Sequence, residues 1–348
     1  MKRPQKAFAF IAISAMILQA ANVPESTNPP GDISIDKAPL FLNLGWDDNT
    51  SAAGLDWAMS IYEGKTNPDG TPQSASFFLN SATYSDNETL VDAVNVLATT
   101  AHEIGNHTYD HQQSVAELFD EKNGTNSAEG WNGMGLYLRH ATEDQWGEIL
   151  QLGNDSIASY TDVEASDMVG FRSPFLEYGT NLFPALSAQG YRYDCSIETY
   201  SDGYGSWAWP YTLDNGSLAH NSSWKNNSTN NDYGAPSSFS VPQTPGLWEL
   251  PSYALLIPDN DACEEYGIPS GLRGRIQEKI SWMGAADVHI TGFDYNLWSD
   301  AAMSAAEVLG LLKFNLDIRL ENNRAPFLLG AHSQYYVGTW AKDWASNA

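Results

Sequence analysis

His107 and His111 stand four positions apart in His102-Glu103-Ile104-Gly105-Asn106-His107-Thr108-Tyr109-Asp110-His111, and a paired Asp47-Asp48 precedes them. Two imidazoles and one carboxylate are the ligand set of a hydrolytic metal centre, which keeps a further position open so that water can be activated near neutral pH. The other aspartate of the pair, beside the metal without binding it, is suited to accept the proton of that water. The same three ligand types also form the facial triad of iron oxygenases. A neighbouring base favours hydrolysis. Each motif is weak alone, since adjacent aspartates are common in turns and histidines at this spacing are common on helix surfaces.

The elements around these residues point to a parallel α/β barrel. An apolar stretch at 40–46 ends at the two aspartates, and 76–79 is a second stretch of strand type. Val91, Val94, Leu97, Ala98 and Ala101 repeat at helical spacing, and Gly105 follows as a stop. The two histidines therefore fall on a strand end and its loop. Further apolar runs at 169–171, 191–197, 247–250, 288–293 and 327–329 alternate with helical stretches such as 301–318. In such barrels the chemistry gathers at the carboxyl ends of the strands. Residues 200–246 break the pattern, being rich in Ser, Asn, Gly and Pro yet carrying Trp207, Trp209, Tyr211 and Trp224. This reads as a loop insertion whose aromatic residues either stack on sugar rings or cover the barrel wall.

Lys2, Arg3 and Lys6, an apolar run at 7–18, then Ala20 and Ala21 have the order of a secretory signal over residues 1–21, too short to span a membrane. Residues 22–37, rich in Pro, Ser, Asn and Asp, read as a linker, and 38–348 as the catalytic domain with its insertion at 200–246. The formal charge of -26 disfavours nucleic acid and anionic membranes as partners. A neutral glycan fits it. In an exported chain Cys195 and Cys263 are compatible either with one disulfide or with two buried thiols.

Together with Arg172-Ser173-Pro174-Phe175 and Leu329-Gly330-Ala331-His332, the two motifs resemble the polysaccharide deacetylases of carbohydrate esterase family four, over roughly residues 38 to 340. The resemblance implies a distorted (β/α) barrel. It makes Asp48, His107 and His111 the metal ligands and Asp47 the general base, held by Arg172. Phe175, where the family has tyrosine, offers its backbone amide to the oxyanion. His332 is the acid that protonates the leaving amine, although the family motif is Leu-x-His and Leu329 lies one residue further off. Asp294-Tyr295-Asn296-Leu297-Trp298 resembles Asp-x-x-Asp-Trp with leucine at the second aspartate. On that pattern Asp294 is the partner of His332 and Trp298 a wall of the substrate groove. The cofactor implied is zinc, and cobalt, nickel or manganese fit the same ligands.

The function expected is that of a secreted N-deacetylase, extracellular or periplasmic and monomeric. It acts on an N-acetylated glycan, chitin or chitooligosaccharides, and has no membrane attachment after signal removal. The alternatives are an acetylxylan O-esterase, a peptidoglycan deacetylase or a non-catalytic carbohydrate-binding protein.

Overall fold

The apolar run before the paired aspartates is strand β1 (Leu42–Asp47), and the next one is β2 (Ser76–Leu79). All four residues of β2 are buried, as expected of a strand covered on both faces. These observations come from a computed structural model, which describes residues 22–111, 138, 141–201, 205–217, 241–280, 288–292 and 294–338. The expected signal at 1–21 and Trp224 of the insertion lie outside the described residues.

Six further strands complete the main sheet. They are β3 (Glu103–Asn106), β4 (Gly170–Phe171), β5 (Tyr193–Asp194), β7 (Tyr211–Thr212), β8 (Trp248–Glu249) and β12 (Phe327–His332). Their order is β12-β1-β2-β3-β4-β5-β8-β7, and every pairing is parallel except β7 with β8. The result is the expected α/β barrel in distorted form, a curled sheet whose two edge strands are not hydrogen-bonded to each other. Between β5 and β7 comes β6 (Glu198–Thr199), which pairs with β9 (Ser252–Tyr253) in a separate sheet. The run at 288–293, expected as a parallel barrel strand, instead gives the short β11 (His289–Ile290). Its hydrogen bonds go antiparallel to β10 (Leu255–Leu256), outside the main sheet.

The helices are fixed by caps and by one buried face. Asn87 caps α2 (Glu88–Leu97), which follows α1 (Ala52–Ser60) and buries Leu90, Val94 and Leu97. Thr142 with Gln145 caps α3 (Glu143–Tyr160), which α4 (Leu182–Ala188) follows. After α5 (Asn260–Glu265) and α6 (Leu272–Lys279), the helix expected at 301–318 begins later, as α7 (Ala305–Glu321). Ser304 and Glu307 form a capping box that sets this start, and Asn296–Asp300 ahead of it is a single wide turn.

Three features of the sequence take a definite form in the structure. Trp207, Trp209 and Tyr211 do not face solvent, and so offer nothing to a sugar. The two tryptophans are buried with Ala38, Tyr253, Leu256, Phe314 and Ala325, and Arg319 stacks 3.6 Å over the Trp207 ring. The segment read as a linker is tied to this insertion, since Trp209 donates to the Ser26 carbonyl and Thr212 to that of Val23, both at 2.8 Å. Cys195 and Cys263 are free and buried, one after β5 inside the barrel and the other in the cluster on α5 and α7. No bridge joins them.

Candidate active site and metal centre

Asp47 is the last residue of β1, and the chain turns sharply after it. Asp48 and Asn49 have φ of 62° and 49°, the left-handed region that residues with a Cβ adopt reluctantly. Asn49 holds the turn. Its buried amide donates to the Trp46 carbonyl at 2.6 Å and the Phe78 carbonyl at 3.0 Å, and its oxygen accepts from Ser333 Oγ at 3.0 Å. The turn carries Asp48 toward the histidines. Its Oδ1 lies 3.6 Å from His107 Nε2 and 3.3 Å from His111 Nε2.

His107 directly follows β3 and is almost fully buried. Its Nδ1 lies 2.6 Å from the Arg172 carbonyl oxygen, which can only accept, so Nδ1 carries the proton and Nε2 presents a lone pair. Burial, with His111 adding to it, lowers the His107 pKa to about 3 and keeps the ring neutral. The loop to His111 is braced by Asn106, whose Oδ1 accepts from Thr108 N at 2.7 Å and whose amide donates to Leu150, Asn154 and Tyr191.

The donor set fits a divalent cation. Asp48 Oδ1 is buried with no hydrogen-bond partner and faces the neutral Nε2 of His107, and two lone pairs in that relation need a positive charge between them. The ligand atoms of Asp48, His107 and His111 all lie within 4.8 Å of one another.

Arg172 follows β4 and is buried, with Nη1 2.8 Å from Asp47 Oδ1 and its guanidinium 4.5 Å over the Phe78 ring. Asp47 raises the arginine's pKa against the cost of burial. Room for the guanidinium comes from Gly45, where a Cβ would lie 2.6 Å from Nη1. Sequence reading missed Gly45 and Asn49, although both flank the aspartate motif. The turn after Arg172 is also left-handed, with φ of 56° at Phe175 and 53° at Leu176. The Phe175 side chain is 59% exposed, and its ring meets that of His111 edge-on at 4.5 Å.

His332 ends β12 in register with Asp47 on β1. Both its backbone N–H and its Nδ1 reach Asp294 Oδ2, at 2.6 and 2.8 Å, and its Nε2 points to Asp48 Oδ2 at 3.8 Å. Partial burial opposes the imidazolium, but Asp294 outweighs it and raises the His332 pKa to about 9. The expected spacing departure has a different explanation. Burial alternates along β12, which puts Leu329 on the opposite face from His332 and leaves Gly330 at the place of the motif leucine. Trp298 is corrected as a groove wall. It is buried, with its ring 5.2 Å from that of Tyr336. The partly exposed rings beside the site are Tyr295 and Tyr335, at 5.7 and 5.3 Å from His332. Tyr295 lies inside the quoted Asp294–Trp298 motif and was readable there.

No family profile matches the chain. It is 26% identical to chitin deacetylase 1 of Bombyx mori over 175 residues, which is 50% of this chain and 28% of that protein. The match thus spans less than a third of the relative's length. Among solved structures, a Mycobacterium smegmatis chain assigned as a polysaccharide deacetylase is 14% identical with a TM-score of 0.45, covering 88% of this chain and 81% of its own. A family 4 carbohydrate esterase from Streptomyces lividans in complex with acetate is 16% identical with a TM-score of 0.29, over 47% and 66% of the two chains. A family 4 pseudoenzyme from Bacillus anthracis is 15% identical with a TM-score of 0.30, over 43% and 41%. Its motifs are gathered at one site in the order they take in the polysaccharide deacetylases of carbohydrate esterase family four, and over 175 residues the chain is similar to chitin deacetylase 1.

Proposed function

We propose that the protein is a secreted, metal-dependent N-deacetylase that hydrolyses the acetamide groups of chitin or chitooligosaccharides and releases acetate. One observation carries this reading: the Asp47–Arg172 and Asp294–His332 pairs both stand beside the Asp48, His107 and His111 group. Zinc held by those three residues would supply Lewis acidity, activating water and polarising the acetyl carbonyl, and cobalt, nickel or manganese suit the same donors.

The chain's own residues do the rest. Asp47, oriented by its pairing with Arg172, takes the proton of the attacking water. The Phe175 backbone N–H is the donor to the oxygen on which charge develops, a role independent of the side chain. His332, held as imidazolium by Asp294, protonates the amine, which leaves poorly without a proton. Tyr295, Tyr335 and the exposed Phe175 offer ring faces to a pyranose in place of the buried tryptophans. The acidic chain favours a neutral glycan over one carrying anionic wall polymers. The similarity to a chitin deacetylase supports an amide substrate, and the leader-like residues support export.

Mass spectrometry of defined chitooligosaccharides after incubation with zinc-loaded enzyme tests the proposal, and loss of acetyl groups is the expected result. Release from acetylated xylan alone would reassign the site to an O-esterase, and preference for peptidoglycan to a cell-wall deacetylase. Binding without release would make the protein a non-catalytic glycan binder.

A further inference from the structure

Asp194 on β5 and Glu249 on β8 are partners in the parallel register, and both are completely buried. As register partners on adjacent strands they project from the same face of the sheet, which sets their carboxyl groups side by side. Two carboxylates can only accept, so such neighbours can be joined only through a proton, and two like charges so close in a sealed site do not both ionise. The proton belongs on Glu249. Asp194 accepts from Ser196 N at 2.9 Å and from Ser196 Oγ at 2.8 Å, donors that stabilise its charge. Glu249 Oε1 accepts from Ile197 N at a longer 3.3 Å, and nothing donates to its Oε2, which is closed to solvent. Burial raises both groups, Asp194 to about 6 and Glu249 further, with Arg172, Cys195, Tyr178, Tyr211 and Tyr253 among their ionisable neighbours.

The pair is wired to the catalytic turn. Ser173, next to Arg172, donates its N–H to Ser196 Oγ at 2.8 Å, and that hydroxyl donates to Asp194. The string thus runs from the carboxyl pair to the segment that carries both Arg172 and Phe175. Its single charge also acts on the Arg172 guanidinium, whose other acidic neighbour is Asp47.

We propose that Asp194 and Glu249 are positioning residues for the base: sharing one proton and one charge, they fix the Arg172–Phe175 turn through Ser196 and leave the guanidinium on Asp47. This rests on the reading of Asp47 as general base. A pair carrying two charges, or an Asp194 deprived of its donor, would compete with Asp47 for Arg172.

Glu249→Leu removes the donor and is expected to lower kcat about tenfold or more with KM and zinc content unchanged. Glu249→Gln, whose amide can still donate to Asp194, should recover most of that loss. Ser196→Ala cuts the string without touching either carboxyl and should also lower kcat; it decides the matter if Glu249→Leu does not fold. Two readouts do not depend on turnover. Difference infrared spectroscopy should show a protonated carboxyl stretch in the wild type at neutral pH that is missing in Glu249→Gln, and a crystal structure of Glu249→Leu should show Arg172 displaced from Asp47. Absence of the infrared band would overturn the proposal, as would wild-type kcat in both Glu249→Leu and Ser196→Ala. If the wild type hydrolyses no acetylated glycan, the functional reading fails separately, and the band and the position of Arg172 still decide this one.

Discussion

Arg172 and His107 are joined through the arginine's backbone: its carbonyl oxygen accepts the His107 Nδ1 proton at 2.6 Å, while its guanidinium holds Asp47 at 2.8 Å. One residue therefore orients a candidate metal ligand with its main chain and the proposed base with its side chain. The two tasks are separable by mutation, because a side-chain change leaves the carbonyl in place.

Gly45→Ala exploits that separation. The new Cβ would sit 2.6 Å from Arg172 Nη1, so the guanidinium must shift, and the expected shift takes it off Asp47. We expect a loss in kcat on the order of a hundredfold with metal content retained. Kinetics alongside elemental analysis checks this, and unchanged kcat would show that the guanidinium has another place to go.

Asp47→Asn keeps all three candidate ligands and removes only the base. Activity should fall by roughly a hundredfold or more while metal affinity holds. Metal lost in step with activity would mean that the two aspartates have been assigned the wrong way round.

His111→Ala takes away one of three ligands, so most of the bound metal should go with it, and chelation of the wild type should give the same inactive state. Added zinc or cobalt is expected to restore the chelated wild type. Full activity in excess chelator, with metal absence verified by elemental analysis, is incompatible with a metallohydrolase.

His332→Ala should injure hydrolysis of an acetamide far more than that of an activated aryl acetate, since only the amine must be protonated to leave. Comparable losses on both substrates would assign His332 a structural role.

The Asp194–Glu249 pair has a consequence for stability as well. Both pKa values are raised on folding, so the stability they contribute is complete below the ordinary carboxylate range near 4 and is lost as pH rises through the folded values, about 6 for Asp194. Glu249→Gln removes one of these titrations. Its Tm relative to wild type should therefore increase as pH is raised from about 4 to about 8, and parallel Tm curves would contradict a shared buried proton.

The candidate ligand residues and most strands were readable in the sequence because they are local: an apolar run ending in Asp47-Asp48, and two histidines one loop apart. The features that escaped depend on what lies across the barrel. Nothing near Trp207 or Trp209 distinguishes a ring stacked on sugar from one packed under Arg319. The requirement for glycine at position 45 exists only because Arg172 arrives from β4. Motif spacing around His332 was misleading for a related reason, since the face of β12 to which each residue belongs is set by its pairing with β1. The carboxyl pair was invisible too, its members lying 55 positions apart, which is 249 minus 194.

Asp47 and His332 end neighbouring strands at the same register position, so their backbones are held at the ~4.8 Å spacing that interstrand hydrogen bonds impose. That spacing belongs to the sheet and to none of the connecting segments. Loops after the other strands, except β3 and β4, which lead into His107, His111, Arg172 and Phe175, can accordingly be lengthened, shortened or exchanged without altering the distance between the proposed base and acid. An engineer seeking a new glycan specificity on this scaffold has the rim to rebuild and the proton-handling pair to leave alone.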